Sequence, residues 1–385
     1  MADSGGELEP FELERFFAKW EFEAEHLLCC SDCEPVTMAS LIQNADEECL
    51  KLWNDLALGY TMSNGSDELR REVASSLYEN LKEDELNIVV PEEGIYLSML
   101  ALLKKGDHVV VTYPGYQSLY AVAKSLGCVV HYWKPRIDGA SGRCAFFVED
   151  VVSVVEANPV KVVVVNFPHN PTGKTLTRAQ HADLVSACER KGCLLFSDEM
   201  YRLLEYDEGS RLASAVDCYD KAVVLCGVSK SLSCPGLRIG WIASKDKSFL
   251  ARLAELKDYT TICPSGPSEI LALMAVRQRD RIVTKNLETI KANISALKEF
   301  CAGHAGKVAW DPPQAGSIAF PRLLTGEPVE AFCEGLARER STLLLPASVY
   351  GCEEFTKDGR FRFGLGRENI SEGLRRLGDA LQDTG

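Results

Sequence analysis

The sequence predicts an α/β fold: a mainly parallel, seven-stranded sheet sandwiched by helices, with a smaller α+β unit attached. Two observations carry this reading. Seven short apolar, β-branched runs follow one another at 88–90, 108–112, 128–132, 161–166, 193–197, 222–227 and 239–243. Stretches of helical periodicity at 94–104, 116–126 and 177–191 separate most of them, and only the last run follows without room for a helix. Strands alternating with helices give a parallel sheet covered on both faces, because each crossover helix packs on the sheet it spans.

The remaining elements follow in order. Phe11, Phe16, Phe17 and Trp20 recur at helical spacing, and 41–58 does likewise. Past Leu250 a helical stretch runs through Leu256 and, after Pro264 and Pro267, resumes over 268–304. The last part holds strand-like pieces at 316–321, 342–346 and 360–365, then an amphipathic helix after Asn369. We read 1–45 as an N-terminal segment packing with the small domain, 46–260 as the large domain and 261–385 as the C-terminal small domain. No tether rich in Gly, Ser or Pro separates them, so they share an interface.

Composition bounds the function. A chain of 385 residues suits about two domains, and 46% hydrophobic with 25% charged residues is ordinary for a globular protein. The net charge of −14 argues against nucleic acid as a partner. No window approaches the roughly 18–20 apolar residues of a membrane helix. The acidic start, 1–10, lacks a basic stretch leading into an apolar one, so no secretory signal is read and the expected location is cytoplasmic. Fifteen cysteines are scattered mostly singly through apolar runs, as reduced, buried thiols would be. Cys29, Cys30 and Cys33 cluster, but no second Cys/His pair stands at ligand spacing, and no metal is expected.

Ligands of open α/β sheets bind beyond the carboxyl ends of the strands. Three such ends are unusual. Run 161–166 leads into Phe167-Pro168-His169-Asn170-Pro171-Thr172-Gly173, run 193–197 into Asp198-Glu199-Met200-Tyr201, and run 222–227 into Val228-Ser229-Lys230, with Arg238 eight residues further on. Asn170, Asp198 and Lys230 are spaced 28 and 32 residues apart, about one strand–helix–strand unit each. Singly, these are a turn, a helix cap and a surface charge. Together they place an amide, a carboxylate and an amine in one crevice. A buried lysine is a nucleophile able to form a Schiff base. A carboxylate facing a pyridine nitrogen keeps that ring protonated, as pyridoxal phosphate chemistry requires.

The set Asn170-Pro171-Thr172-Gly173, Asp198-Glu199-Met200-Tyr201 and Ser229-Lys230-Ser231-Leu232-Ser233-Cys234-Pro235-Gly236-Leu237-Arg238 closely resembles the class I/II aminotransferases, pyridoxal-phosphate enzymes of fold type I. The likeness spans about 58–367 and includes Leu58-Gly59-Tyr60, Gly65, Glu68-Leu69-Arg70, Tyr113-Pro114-Gly115-Tyr116 and Phe361-Arg362-Phe363-Gly364. It implies that the large domain binds pyridoxal 5'-phosphate and that Lys230 holds it as a Schiff base, then shuttles a proton once substrate displaces it. By the same resemblance, Asp198 pairs with the pyridine nitrogen, Asn170 and Tyr201 bond the phenolic oxygen, and Tyr116 stacks on the ring. Ser229 and Arg238 bind the phosphate, Tyr60 reaches a phosphate across a homodimer interface, and Arg362 clamps the substrate α-carboxylate. The implied partners are an amino acid and a 2-oxo acid.

Three departures bear on specificity. Where relatives start the phosphate-binding helix with Gly-Ala or Ser-Ala, this chain has Val90-Pro91-Glu92-Glu93-Gly94-Ile95. Proline donates no N–H there, so the backbone amides of Glu92, Glu93 and Gly94 are left to serve the phosphate. Gly227 replaces a common serine. Cys30-Ser31-Asp32-Cys33-Glu34-Pro35 replaces a Gly-Glu-Pro-type loop lining the substrate pocket. This combination is similar to an offshoot of the family that includes capreomycidine-synthase-like enzymes. Its members act on amino acids with basic side chains, which Asp32, Glu34 and Glu92 could receive. The leading function is therefore amino transfer between an α-amino acid and a 2-oxo acid. The alternatives are a pyridoxal-phosphate lyase, cyclase or oxidase, and a non-catalytic binding protein of this fold.

Overall fold

The central sheet comprises β1 (Leu86–Val89), β2 (His108–Thr112), β3 (Val129–Trp133), β4 (Val160–Asn166), β5 (Leu194–Asp198), β6 (Ala222–Gly227) and β7 (Gly240–Ser244), in the spatial order β1-β7-β6-β5-β4-β2-β3. This computed structural model describes residues 6–139 and 141–383. The reading of 1–10 as free of a secretory signal therefore falls partly outside the described residues. Strands β2 to β6 pair in parallel. Strand β7 runs antiparallel to both β6 and β1. Between β6 and β7 lies only the short turn Pro235–Leu237, with no helix to carry the chain back across a face.

Alternation along each strand sorts its side chains between two cores. Val109, Val111, Val162, Val164, Phe196, Val223, Leu225 and Ile242 face one side, with the helices Pro91–Leu102, Ser118–Ser125 and Lys247–Lys257. Val110, Val163, Val165, Leu195, Val224, Cys226 and Trp241 face the other, under Asp67–Leu77, Val148–Ala157, Arg178–Lys191 and Gly266–Arg277. Each fully buried Val or Leu contributes about 1.5–3 kcal/mol, which is why near-continuous apolar runs specify this sheet.

Several elements differ from the sequence reading. Val148–Ala157 is valine-rich, which favours strands, yet Val148, Val151 and Val155 share one buried helical face. The helices Asp67–Leu77 and Val329–Arg340 were likewise not anticipated. The stretch 41–58 breaks after Gln43, and Asp46 starts a second helix by accepting from the Cys49 N–H at 2.8 Å. The stretch 268–304 is two helices, Gly266–Arg277 and Arg279–Gly303, which meet at Gln278. There Gln278 Nε2 donates to Leu41 O at 2.9 Å, and Arg277 pairs with Asp46, Glu48 and Glu72 at 2.9–3.0 Å. Gly266–Arg277, read as opening the small domain, adds Leu271 and Met274 to the core on the sheet's face.

The N-terminal segment touches both parts of the chain. His26–Leu27 pairs in parallel with Thr342–Leu343, and Leu28 O accepts from Gly364 N at 2.6 Å. Upstream, the helix Glu12–Trp20 docks beside the sheet. Glu12 N donates to Gln117 Oε1 at 2.9 Å, Gln117 Nε2 donates to Pro10 O at 2.7 Å, and the Phe11 and Tyr116 rings lie 5.1 Å apart. This docking carries the helix over the carboxyl ends of the strands.

Candidate active site

Strands β4 and β5 end side by side, with Asn166 opposite Asp198. Asn166 Nδ2 donates to Asp198 O at 3.2 Å, and its Oδ1 accepts from Asn170 N at 2.9 Å, tying the turn after β4 to the strand end. Lys230 follows β6 on the same edge. These ends open on a cavity of about 380 Å³, lined by Asn170, Asp198, Tyr201, Ser229, Lys230 and Arg238. Tyr116, Arg362, Asp32 and Glu92 complete the set of sequence-predicted residues that meet there.

Burial sets the electrostatics. It pushes the Asp198 carboxyl up to about 7, with Glu199 and Glu92 adding to the effect and the Met200 N–H, donating at 3.1 Å, opposing it. Burial lowers the Lys230 amine below its ordinary value; Asp32 works against that and Arg362 with it. Glu92 is also pushed up to about 7 by burial, against hydrogen bonds from Ser118, at 3.2 Å, and Tyr116. The Tyr201 phenol rises to about 12, again through burial. The cavity thus holds an amine shifted toward its nucleophilic form beside a carboxyl that gains from a cationic partner.

Arg362, 2% exposed, comes from Phe361–Gly364. Its Nε donates to Cys29 O at 2.9 Å and its Nη1 to Tyr350 Oη at 3.0 Å and Asn170 Oδ1 at 3.4 Å. Tyr350 Oη donates to Asn170 Oδ1 at 3.0 Å, closing a buried triangle that fixes the guanidinium. Phe17 covers it from the N-terminal helix. Sequence reasoning missed Phe17 and Tyr350 as site residues. It also missed Ser31, whose Oγ accepts from Lys230 Nζ at 3.0 Å, although the unusual loop at Cys30-Ser31-Asp32-Cys33 was the available signal.

Other predicted residues sit elsewhere or are already engaged. Tyr60 is 93% exposed and does not line this chain's cavity. Glu93 lies off the cavity, its carboxylate accepting from Thr261 N at 3.2 Å and Thr261 Oγ1 at 2.9 Å. The Gly94 N–H donates to Val90 O at 2.8 Å within the helix, and a Cβ at Gly94 would stand 2.8 Å from Val89 Cγ2, so the glycine serves helix–strand packing. Asp32 is paired with Arg367 at 2.9 Å. Glu34 accepts from Glu368 N at 3.1 Å, away from the cavity. Gly227 has a steric reason of its own: a Cβ there would lie 2.9 Å from the Gly240 Cα of β7.

The residues present fit pyridoxal phosphate. Ser229 lines the cavity, and its Oγ is buried and without a hydrogen-bond partner among the described residues. A phosphate oxygen would satisfy it. Arg238 borders the same cavity and supplies the fork that suits such an anion. Asp198 and Lys230 supply the carboxylate and amine that the ring nitrogen and aldehyde call for.

The model of the family "Aminotransferase class I and II" matches residues 31–377. Among curated proteins, the chain is 28% identical to capreomycidine synthase of Streptomyces vinaceus, over 83% of this chain and 80% of that one. It is 27% identical to an aspartate aminotransferase of Sulfurisphaera tokodaii, over 83% and 81%. Among solved structures, a PLP-dependent aminotransferase from Streptococcus suis superposes with a TM-score of 0.88 at 27% identity, covering 98% of this chain and 99% of that one. The PLP-dependent cyclase OrfR does so with 0.87 at 27% identity over the whole of both chains. With the family model spanning nearly the whole sequence and the cavity furnished as described, this chain belongs to the class I and II aminotransferases, and its cofactor is pyridoxal phosphate.

Proposed function

We propose that this protein moves an amino group between an α-amino acid and a 2-oxo acid, with Lys230 Nζ as the point of cofactor attachment. The observation that supports this most is the meeting of Lys230, Asp198 and Arg362 around one cavity. When bound, pyridoxal phosphate supplies an electron sink for the pair left at the substrate α-carbon. Asp198 would hold a proton on the ring nitrogen by its charge. Asn170 and Tyr201 would bond the cofactor's phenolic oxygen, and Tyr116 would hold its ring. Ser229, Arg238 and the amide of Glu92, in the first turn of the helix Pro91–Leu102, would take the phosphate. Arg362 orients the α-carboxylate by its planar fork. Lys230 Nζ, once released, takes the α-proton and returns it. Phe17 and its helix exclude water from the clamp.

We also propose a homodimer. Leu58, Tyr60, Met62, Tyr259 and Ile262 are exposed. Their segments are joined by Thr61 Oγ1 donating to Pro264 O at 2.7 Å and Ser63 Oγ donating to Ile262 O at 2.8 Å. An apolar surface of this kind suits a second copy, to whose phosphate Tyr60 would reach. Sedimentation velocity should give twice the chain mass; a strict, active monomer would refute this part. Burial of most of the cysteines in apolar core supports a cytoplasmic location.

A second reading, a cyclase or lyase on an amino acid with a basic side chain, is favoured by Glu92 on the cavity wall and by the likeness to capreomycidine synthase and OrfR. Mixing the yellow enzyme with single amino acids, without a 2-oxo acid, separates the two. Stoichiometric conversion to the pyridoxamine absorbance supports amino transfer. Continuous turnover without that change supports the second reading.

A further inference from the structure

We propose that Ser31 is the positioning residue of the Lys230 amine: its hydroxyl, fixed on a clamped loop, is the station at which the released amine is held for proton transfer. The inference rests on Lys230 being the attachment point, since only a lysine released during turnover needs such a partner.

The geometry is direct. Lys230 Nζ donates to Ser31 Oγ at 3.0 Å. Asp32, Arg362, Cys30 and Cys33 act on the amine through charge, as do Asp198 and Glu21, but Ser31 touches it. The loop carrying Ser31 is fastened at several points. Ser31 O accepts from Ser317 Oγ at 2.6 Å, Asp32 accepts from Arg367 Nη2 at 2.9 Å, and Glu34 N donates to Gly366 O at 2.8 Å. The Cys30 backbone lies so close to Gly364 that a Cβ there would stand 2.1 Å from Cys30 O. The hydroxyl is therefore placed by backbone, not by a mobile rotamer alone.

A neutral amine carries two N–H bonds and one lone pair. Anchoring one N–H on Ser31 Oγ restricts where the lone pair can point. In the proposed turnover the lone pair takes the substrate α-proton, while the electron pair of the broken C–H bond stays with the carbon. The ammonium then returns one proton and ends neutral, so no further reactant is consumed. Misplacing a reacting group by about 1 Å costs on the order of 100-fold in rate.

The test compares Ser31→Ala and Ser31→Thr with the wild type. In the cofactor-free proteins, the pH profile for acetylation of Lys230, read by peptide mass spectrometry, should move to lower pH in Ser31→Ala, because a hydroxyl acceptor favours the protonated amine. In the holoenzymes, Ser31→Ala should lower kcat about 10- to 100-fold at nearly constant KM and raise the isotope effect of α-deuterated substrate. Ser31→Thr, which keeps the hydroxyl, should restore both. Borohydride trapping on Lys230 in all three enzymes separates this outcome from a failure of cofactor attachment. An unchanged acetylation profile and isotope effect in Ser31→Ala, or a Thr variant as impaired as the Ala variant, would overturn the proposal.

Discussion

The guanidinium carbon of Arg362 stands 5.7 Å from the centre of the Phe17 ring, joining the last strand of the chain to its first helix. The contact makes the N-terminal helix Glu12–Trp20 part of the cavity wall, to which Leu13, Glu14 and Phe17 contribute. The helix is held there by the Glu12–Gln117 and Pro10–Gln117 hydrogen bonds.

Phe17→Ala removes the aromatic face over the clamp, an interaction of about 0.5–2 kcal/mol when shielded from water. The KM for the amino-acid donor should rise about 3- to 20-fold, with cofactor content unchanged. Steady-state kinetics over a range of donor concentrations checks this.

Arg362→Lys keeps the charge and loses the fork, including the bonds to Cys29 O and Tyr350 Oη. We expect kcat/KM to fall about 100-fold or more, because a point charge cannot reproduce bidentate binding of a carboxylate. The loss should be similar for every donor, since all carry the same α-carboxylate. Comparing two chemically unlike donors is the check.

Ser229→Ala should have effects of opposite sign on the two forms of the protein. Its hydroxyl is buried without a partner among the described residues, so removing it should leave the cofactor-free chain as stable or slightly more stable. Removing the proposed phosphate ligand should weaken pyridoxal phosphate binding about 3- to 10-fold, by roughly one hydrogen bond. Thermal melts of the cofactor-free forms and absorbance titration of the cofactor measure the two effects.

Those residues show what could be read in advance. Asn170, Asp198, Ser229 and Lys230 were legible because successive parallel strands must end on one edge, so whatever follows each apolar run shares a crevice. Phe17 was legible as helical but not as part of the cavity wall: periodicity identifies an apolar face without identifying the distant surface it meets. The same limit applies to Asp32, read as a receptor for a basic side chain, whose charge is matched by Arg367 from the far end of the chain. Gly94, read as a phosphate donor, already sits within the helix, its N–H bonded to Val90 O. The helix Val148–Ala157 was hidden by its valines, whose strand preference tertiary burial overrides.

Asp198 makes stability depend on pH in the cofactor-free protein. Its folded carboxyl is pushed up to about 7 from an ordinary value of 3.8, mainly by burial. The contribution is therefore fully favourable below the unfolded value and is lost as pH rises through about 7. Asp198→Asn, neutral throughout, should gain stability relative to the wild type between pH 5 and pH 8, by roughly 1 °C in Tm per kcal/mol for a chain of this length. Melting both cofactor-free proteins across that range provides the check. The same variant should lose catalysis once cofactor is added.

The central claim is that the amine at position 230 carries the cofactor. Reducing the yellow holoenzyme with borohydride and mapping the fluorescent peptide tests it most directly. A pyridoxyl group on Lys230, in the segment Ser229-Lys230-Ser231, is the predicted result. A label on another lysine, or none on a protein that still turns over substrate, would contradict it.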